Sequence, residues 1–278
     1  LDTQLDTILT QADQEDVLTD EGKAFYNRFM AAKQELMTGI SELSQLGWEQ
    51  HQGISRRMYN NFREVFAKGG DVLAISSLSG RCVLSMAAFC QELVQCNPAI
   101  EIREQSSRFT LDGVVPADKE NPKKHNYPKA TPRFVKNWDI FGARDTFHDD
   151  ILNRVFKTTE GLPFNGRRIA GSLTSLYTSL PNIGHEGMMG NIITDDEIVS
   201  RWESSNLGSY SWVFSGQYEM IPVLEDIIAK ADAAIEGTSG RIGDFRFGHD
   251  SCIGPLTVLL GINGADTDPE DPAEVKNI

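Results

Sequence analysis

A histidine and an aspartate stand side by side where a short strand pattern gives way to a helical pattern. The strand pattern covers residues 244–247 and the helical pattern covers residues 253–260. His249 and Asp250 therefore fall at the junction. The first turn of a helix presents backbone N–H groups and a favourable dipole to anions. The junction thus suits an oxyanion such as phosphate, towards which a neighbouring carboxyl group can act as a general acid.

A second junction of the same kind ends at an arginine. The apolar run 72–75 leads through small polar residues to Arg81 and the helical stretch 82–94. The guanidinium fork binds phosphate bidentately. In an open α/β sheet, ligands bind beyond the carboxyl ends of the strands, so the two junctions can face one site. Taken singly, the residues also fit a surface arginine, a helix cap and a packed imidazole.

Both segments resemble a known family. Residues 79–89 (SGRCVLSMAAF) and 247–250 (FGHD) are similar to the second-arginine and His-Asp elements of the histidine acid phosphatases. The amino-acid sequence around Arg81 is closest to that of the multiple inositol polyphosphate phosphatase and phytase branch. Residues 18–22 and 43–48 are similar to helix openings that follow the catalytic strand in that family.

The resemblance implies a fold and a division into domains. The fold is α/β, with the three-layer core of the histidine phosphatases, which is like that of phosphoglycerate mutase, and a mainly helical inserted domain. Residues 1–100 and 207–278 are expected to form the core. Residues 101–206 are expected to form the inserted cap.

The family's nucleophile has no counterpart in these residues. It is the histidine of an Arg-His-Gly-x-x-Arg motif on the first core strand, whereas this sequence contains no Arg-His pair. Of the five histidines, His249 alone matches a family motif. We expect the catalytic strand to lie upstream of Leu1. The related branch commonly carries His-Ala-Glu where this chain has His249, Asp250 and Ser251, so the proton-donor role passes to Asp250.

The resemblance implies hydrolysis of phosphomonoesters through a phosphohistidine intermediate. Arg81 and His249 would bind the phosphate, and Asp250 would protonate the leaving oxygen. No metal or organic cofactor is implied, and the sequence has no His-Glu-x-x-His, Cys-x-x-Cys or P-loop motif. The substrates expected are inositol polyphosphates such as phytate. A general acid phosphatase acting on sugar phosphates and a non-catalytic phosphate-binding protein are the alternatives.

Charge and composition limit the possible partners. The 278 residues are 40% hydrophobic and 24% charged and carry a formal net charge of −14. That balance argues against nucleic acid and anionic membranes as partners. The sequence contains no run of about 20 apolar residues, which is the length that a membrane-spanning helix needs. The family resemblance implies a periplasmic or secreted protein, and the oligomeric state stays open.

A basic segment stands out in this acidic chain. It lies between Lys119 and Lys136 and includes Lys123, Lys124 and Arg133. We expect these three side chains to bind the additional phosphates of an inositol polyphosphate. A solvated loop is the alternative.

Local patterns predict several further elements. Thr19 is predicted to cap a helix over 21–37, Ser44 one over 47–66, and Thr194 with Glu197 forms a capping box. The spacing of five apolar residues predicts the core face of the 47–66 helix: Trp48, Ile54, Met58, Phe62 and Val65.

The four cysteines and one glycine-rich loop are the remaining residues that could have a functional role. Cys82 and Cys252 are predicted to be small buried side chains, and Cys90 with Cys96 could pair if a helix ends between them. The loop 181–190 contains His185 and Glu186 and is interpreted as an ordinary turn, with a cleft-lining loop as the alternative. A metal site there is disfavoured because no second histidine lies at ligand spacing.

Overall fold

The computed structural model describes residues 4–39, 41–115, 148–210 and 218–266. The elements in chain order are α1 (Gln4–Gln14), α2 (Asp20–Thr38), α3 (Gln45–Asn61), α4 (Arg63–Phe66), β1 (Gly70–Ser76), α5 (Gly80–Cys96), β2 (Ile100–Gln105), α6 (His148–Val155), α7 (Gly166–Ser179), α8 (Asp195–Gly208), α9 (Ile221–Ile235), β3 (Arg241–Phe247) and α10 (Asp250–Leu259). Short 3₁₀ turns lie at Leu111–Gly113, Leu180–Ile183 and Ile262–Gly264.

The chain divides into two compact units. One contains residues 1–44 and 136–207, and the other contains residues 45–135 and 208–278. The predicted core differs from the second unit in two places, because it included the first 44 residues and assigned residues 101–135 to the cap. The first 44 residues bury their apolar side chains with α6 and α7 in one cluster, and this burial groups them with the helices. The predicted domain boundaries themselves stay a prediction.

A parallel three-stranded sheet is the centre of the second unit. Its strand order is β2-β1-β3, and β1 pairs in parallel with both neighbours. Side chains alternate between the two faces of a strand. Val72 and Ala74 accordingly belong to the cluster that includes α3 and α5, whereas Leu73 and Ile75 belong to the cluster that includes α9 and α10. The sheet therefore lies between two helical layers, as expected for a three-layer α/β core.

Ion pairs tie α9 to the sheet. Arg246 of β3 donates to Asp226 of α9 at 2.5 Å and to the Gly113 carbonyl at 2.9 Å. Lys230 donates to the same carboxylate at 2.6 Å. Burial opposes the charge of Asp226, but these hydrogen bonds outweigh it and hold its pKa below the usual value.

The prediction that five apolar residues form the buried face of the third helix is wrong for three of them. Ile54, Phe62 and Val65 are exposed, and the buried positions are Ser55 and Tyr59. Tyr59 belongs to the cluster that includes residues of α5. Phe62 and Val65 lie beyond α3, which ends at Asn61, and α3 packs against α5 on the side that carries Met58 and Tyr59.

Apolar side chains from four helices form the core of the first unit. Among the fully buried ones are Leu9, Phe25, Phe29, Val155, Ile169 and Leu173. Thr19 caps α2 as predicted, because its side chain accepts a hydrogen bond from the Gly22 N–H at 2.9 Å. The Thr19 hydroxyl also donates to the Arg154 carbonyl at 2.5 Å, which joins α2 to the end of α6.

Replacing Gly22 with alanine should destabilise the protein by about 1–3 kcal/mol, the usual cost of overpacking. An added Cβ would collide with the Val155 carbonyl oxygen and lie 2.9 Å from its carbonyl carbon. Gly171 provides the matched control, since a Cβ there meets no atom within 4 Å. Gly171→Ala should instead stabilise α7 by about 0.5–1 kcal/mol. Chemical denaturation of both variants checks the pair, and equal changes of one sign would contradict the assigned close approach.

The predicted capping box at the start of α8 is confirmed. The Glu197 N–H donates to the Thr194 hydroxyl at 3.3 Å, and the Thr194 N–H donates to the Glu197 carboxylate at 2.8 Å. Arg154 Nη1 donates to both oxygens of that carboxylate, at 2.9 and 2.8 Å. The Glu197 side chain is only 3% exposed, so its carboxylate is largely removed from water, whereas the Arg154 side chain is 32% exposed.

Candidate active site

The two predicted junctions lie side by side at one edge of the sheet. β1 and β3 are parallel neighbours, and their last paired residues are Ser76 and Phe247. The pairing continues one step further, because the Ser77 N–H donates to the Phe247 carbonyl at 2.9 Å. Residues that follow the two strands are therefore brought together although about 170 positions separate them along the chain.

The arginine and the histidine of these junctions are in contact. Arg81 Nη2 lies 3.2 Å from His249 Nδ1. Arg81 is exposed at the start of α5, and His249 is half-buried at the N-cap position of α10. A fixed cation and an imidazole thus share one place beyond the carboxyl ends of two parallel strands. Open α/β sheets bind ligands at that location.

Two helix N-termini open towards solvent at these junctions. Within the described residues, neither Ser79, the N-cap of α5, nor His249, the N-cap of α10, makes a side-chain capping hydrogen bond. The first backbone N–H groups of a helix carry partial positive charge and bind anions when no capping side chain takes them. The site therefore combines a guanidinium group with the N-terminus of α5 and that of α10, where the Ser251 N–H already donates to Asp250.

Asp250 is the first residue of α10 and is exposed to solvent. Its Oδ1 accepts a hydrogen bond from the backbone N–H of Ser251 at 2.8 Å. The carboxylate is thus held by its own helix next to His249. Its exposure leaves room for a ligand oxygen to approach.

Sequence reasoning missed Ser77, which contacts the histidine from the opposite side. Its Oγ lies 3.2 Å from His249 Nε2, and the residue is fully buried. The available signal was its position, because it is the second of two serines that directly follow the apolar run of β1. Polar residues at the carboxyl end of a strand are the ones that face a site in this class of fold.

Cys82 packs against the same imidazole. Its thiol donates to the Gly248 carbonyl at 3.2 Å and lies 3.9 Å from each ring nitrogen of His249. Cys82 and Cys252 are both buried, as predicted. All four cysteines are free thiols.

The suggested pairing of Cys90 with Cys96 does not occur. α5 continues through both positions, so no break between them brings the two side chains together. Burial and the neighbouring Glu104 carboxylate raise the pKa of Cys90 to about 12, so this thiol stays protonated.

The remaining predicted site residues, Lys123, Lys124 and Arg133, lie outside the described residues, so their role stays a prediction. His185 follows the 3₁₀ turn Leu180–Ile183, and its Nε2 lies 3.0 Å from the Glu35 carboxylate. That pair joins the glycine-rich loop to α2.

The part of the chain that the structure describes holds no group of three or more histidine, cysteine, aspartate or glutamate side chains placed to bind a metal ion. Over the same residues, no helix has both the length and the apolar character needed to cross a membrane.

No model of a protein family and no curated protein sequence matches the chain. Solved structures do match. The multiple inositol polyphosphate phosphatase of Bifidobacterium longum in complex with inositol hexasulfate superposes with a TM-score of 0.69 over 95% of this chain and 73% of that one. The chain has the histidine phosphatase fold. The sequence identity is only 16%.

Two further structures with this fold are similar to the chain. The apo form of the same Bifidobacterium longum enzyme has a TM-score of 0.64 at 16% identity, over 97% of this chain and 73% of that one. The phytase from D. castellii has a TM-score of 0.57 at 15% identity, over 92% of this chain and 63% of that one. The predicted fold class is thus confirmed.

Proposed function

We propose that the protein is a phosphatase that hydrolyses phosphomonoesters, with inositol polyphosphates such as phytate as its substrates. One observation carries the proposal: Arg81 and His249, which follow different strands of the sheet, lie 3.2 Å apart beside two helix N-termini. This arrangement provides a fixed cation, backbone N–H donors and an imidazole where a phosphate group would bind.

The proposed reaction has two steps. In the first, a histidine nitrogen attacks phosphorus, the ester P–O bond breaks, and Asp250 gives its proton to the departing alkoxide. In the second, Asp250 takes a proton from water, whose oxygen attacks phosphorus. The P–N bond of the phosphohistidine breaks, and orthophosphate and the free histidine result. Arg81 stabilises the charge on the transferring group in both steps. The nucleophile would be the histidine of an Arg-His-Gly motif, which the 278 residues do not contain.

Support for the substrate class comes from two sources. The amino-acid sequence around Arg81 resembles that of the inositol polyphosphate phosphatase branch. A structure with the same fold was solved with inositol hexasulfate bound. In this proposal Lys123, Lys124 and Arg133 bind the further phosphates of the ring. A periplasmic or secreted location belongs to the same proposal.

A second candidate is a phosphate-binding protein that performs no hydrolysis. Arg81, His249 and the helix N-termini would be sufficient for that role, because binding of phosphate requires no nucleophile. Incubation with inositol hexakisphosphate, without added metal, separates the two candidates. Release of orthophosphate supports the phosphatase, whereas binding of orthophosphate without any release supports the binding protein.

Arg81→Ala should weaken orthophosphate binding by about 10- to 150-fold, because a hydrogen bond to a charged group contributes about 1.5–3 kcal/mol. Isothermal titration with orthophosphate measures the change. Arg57→Ala is the matched control, since Arg57 is an exposed arginine of α3 in the same unit. An equal loss in both variants would mean that phosphate responds to net charge and not to Arg81.

A further inference from the structure

We infer that Ser77 is a positioning residue: its hydroxyl accepts from the Nε2–H of His249 and keeps the ring in the orientation in which the Nδ1 lone pair faces and orients Arg81. The inference rests on the proposed function only for its consequence for phosphate. The geometry that carries it lies entirely among Ser77, Arg81 and His249.

The first step concerns the contact between Arg81 and His249. A guanidinium group has five N–H donors and no acceptor. Arg81 Nη2 lies 3.2 Å from His249 Nδ1, so that ring nitrogen must accept. An imidazole nitrogen accepts only when it carries no proton. Nδ1 is therefore the unprotonated nitrogen, because an N–H at this position would face a donor of the arginine.

The second step places the remaining proton. A neutral imidazole with a lone pair on Nδ1 carries its hydrogen on Nε2. The Ser77 Oγ lies 3.2 Å from Nε2 and can accept that hydrogen. The ring is thus held from both sides, with Arg81 donating to one nitrogen and Ser77 accepting from the other. Cys82 does not select between the tautomers, because its sulfur is 3.9 Å from each nitrogen.

The third step concerns the rigidity of the serine. Ser77 is 0% exposed, and its backbone N–H donates to the Phe247 carbonyl at 2.9 Å. Its carbonyl accepts from the hydroxyls of Ser76 and Ser106, both at 3.0 Å. The backbone is therefore held on both sides. A buried hydroxyl on such a backbone keeps the imidazole in one orientation.

The consequence is a division of roles at the site. His249 serves as a neutral acceptor that holds one N–H of Arg81, while the other guanidinium donors stay available to an oxyanion. The positive charge that meets the phosphate is then the arginine's. Loss of the Ser77 hydroxyl should free the ring, misalign the guanidinium and weaken phosphate binding without any change in charge.

The test is the ¹⁵N spectrum of histidine-labelled protein without ligand, near neutral pH. The His249→Asn variant identifies the His249 signals among those of the five histidines. We expect an imine-type resonance for Nδ1 and a pyrrole-type resonance for Nε2, with the hydrogen on Nε2. A hydrogen on Nδ1, or two pyrrole-type nitrogens, would overturn the inference. This result needs no substrate and no Ser77 variant, so it stands or fails apart from the phosphatase proposal.

A pair of serine variants then tests the link to phosphate. Ser77→Ala removes the acceptor of the Nε2–H, so it should shift the Nε2 resonance of His249 and weaken orthophosphate binding by about 2- to 12-fold, the contribution of one ordinary hydrogen bond. Ser55→Ala is the matched control, because Ser55 of α3 is equally buried and, among the described residues, its hydroxyl has no hydrogen-bond partner. An unchanged Nε2 resonance in Ser77→Ala, or an equal loss of affinity in both variants, would contradict the role given to Ser77.

Discussion

Asp250→Asn is expected to lower the rate of phosphate release by about two to four orders of magnitude, the usual contribution of a general acid. An asparagine can occupy the same place at the start of α10 but has no acidic proton to give the leaving alkoxide. Binding of orthophosphate should change little, because Arg81 and the helix N-termini remain. Steady-state kinetics with inositol hexakisphosphate and titration with orthophosphate measure the two quantities.

A substrate with a better leaving group tests whether Asp250 acts as a general acid. A 4-nitrophenolate departs without protonation, so hydrolysis of 4-nitrophenyl phosphate should be far less sensitive to Asp250→Asn. Asp195→Asn is the matched control, since Asp195 is also an exposed aspartate at the first position of a helix. An unchanged rate in Asp250→Asn would remove this residue from the mechanism. An equal loss with both substrates would assign it to binding instead.

Arg154→Met should destabilise the protein by about 3 kcal/mol, near the lower end of the cost of breaking a buried ion pair. The variant leaves the Glu197 carboxylate, 3% exposed, without the cation that now contacts both of its oxygens. The lower end applies because Arg154 is itself 32% exposed and Thr194 still donates to the carboxylate. Chemical denaturation measures the loss.

The same pair predicts a pH dependence. Burial opposes the charge of Glu197, but the hydrogen bonds from Arg154 and Thr194 outweigh it and hold its pKa below the usual value. A lowered pKa in the folded state stabilises the fold above the unfolded-state pKa, and this stability is lost as the pH falls through the folded-state pKa. The free energy of unfolding should therefore fall on acidification, and less steeply in Arg154→Met.

A nearby exposed pair provides the control for Arg154. Lys157 lies 3.5 Å from Asp16, and their side chains are 53% and 97% exposed. Lys157→Met should change the free energy of unfolding by less than about 1 kcal/mol, as is usual for surface ion pairs. Losses of similar size in the two variants would show that charge removal, and not burial, causes the effect.

Local patterns in the sequence were sufficient for the elements that carry the candidate site. Strand and helix periodicities predicted β1, α5, β3 and α10, and polar residues at their junctions identified Arg81, His249 and Asp250. Side-chain capping is equally local, so Thr19 and the pair Thr194 and Glu197 were found from spacing alone. The reason is that these signals depend on residues a few positions apart.

Which residues of a helix are buried depends on tertiary packing, and the apolar periodicity of the sequence did not predict it correctly. On α3 the buried positions are Ser55 and Tyr59, one residue removed from the apolar stripe that includes Ile54. The first 44 residues pack with helices that follow more than 100 positions later. Which side of a helix is buried, and against which element, depends on partners that are distant in the sequence.

The site itself divides in the same way. The sequence by itself determined that an arginine, a histidine and an aspartate follow strands and begin helices. Only the tertiary structure decided that β1 and β3 are neighbours, and hence that Ser77 and Arg81 contact opposite nitrogens of one imidazole. The physical reason is that the pairing of two parallel strands sets the distance between residues that are 168 and 172 positions apart along the chain.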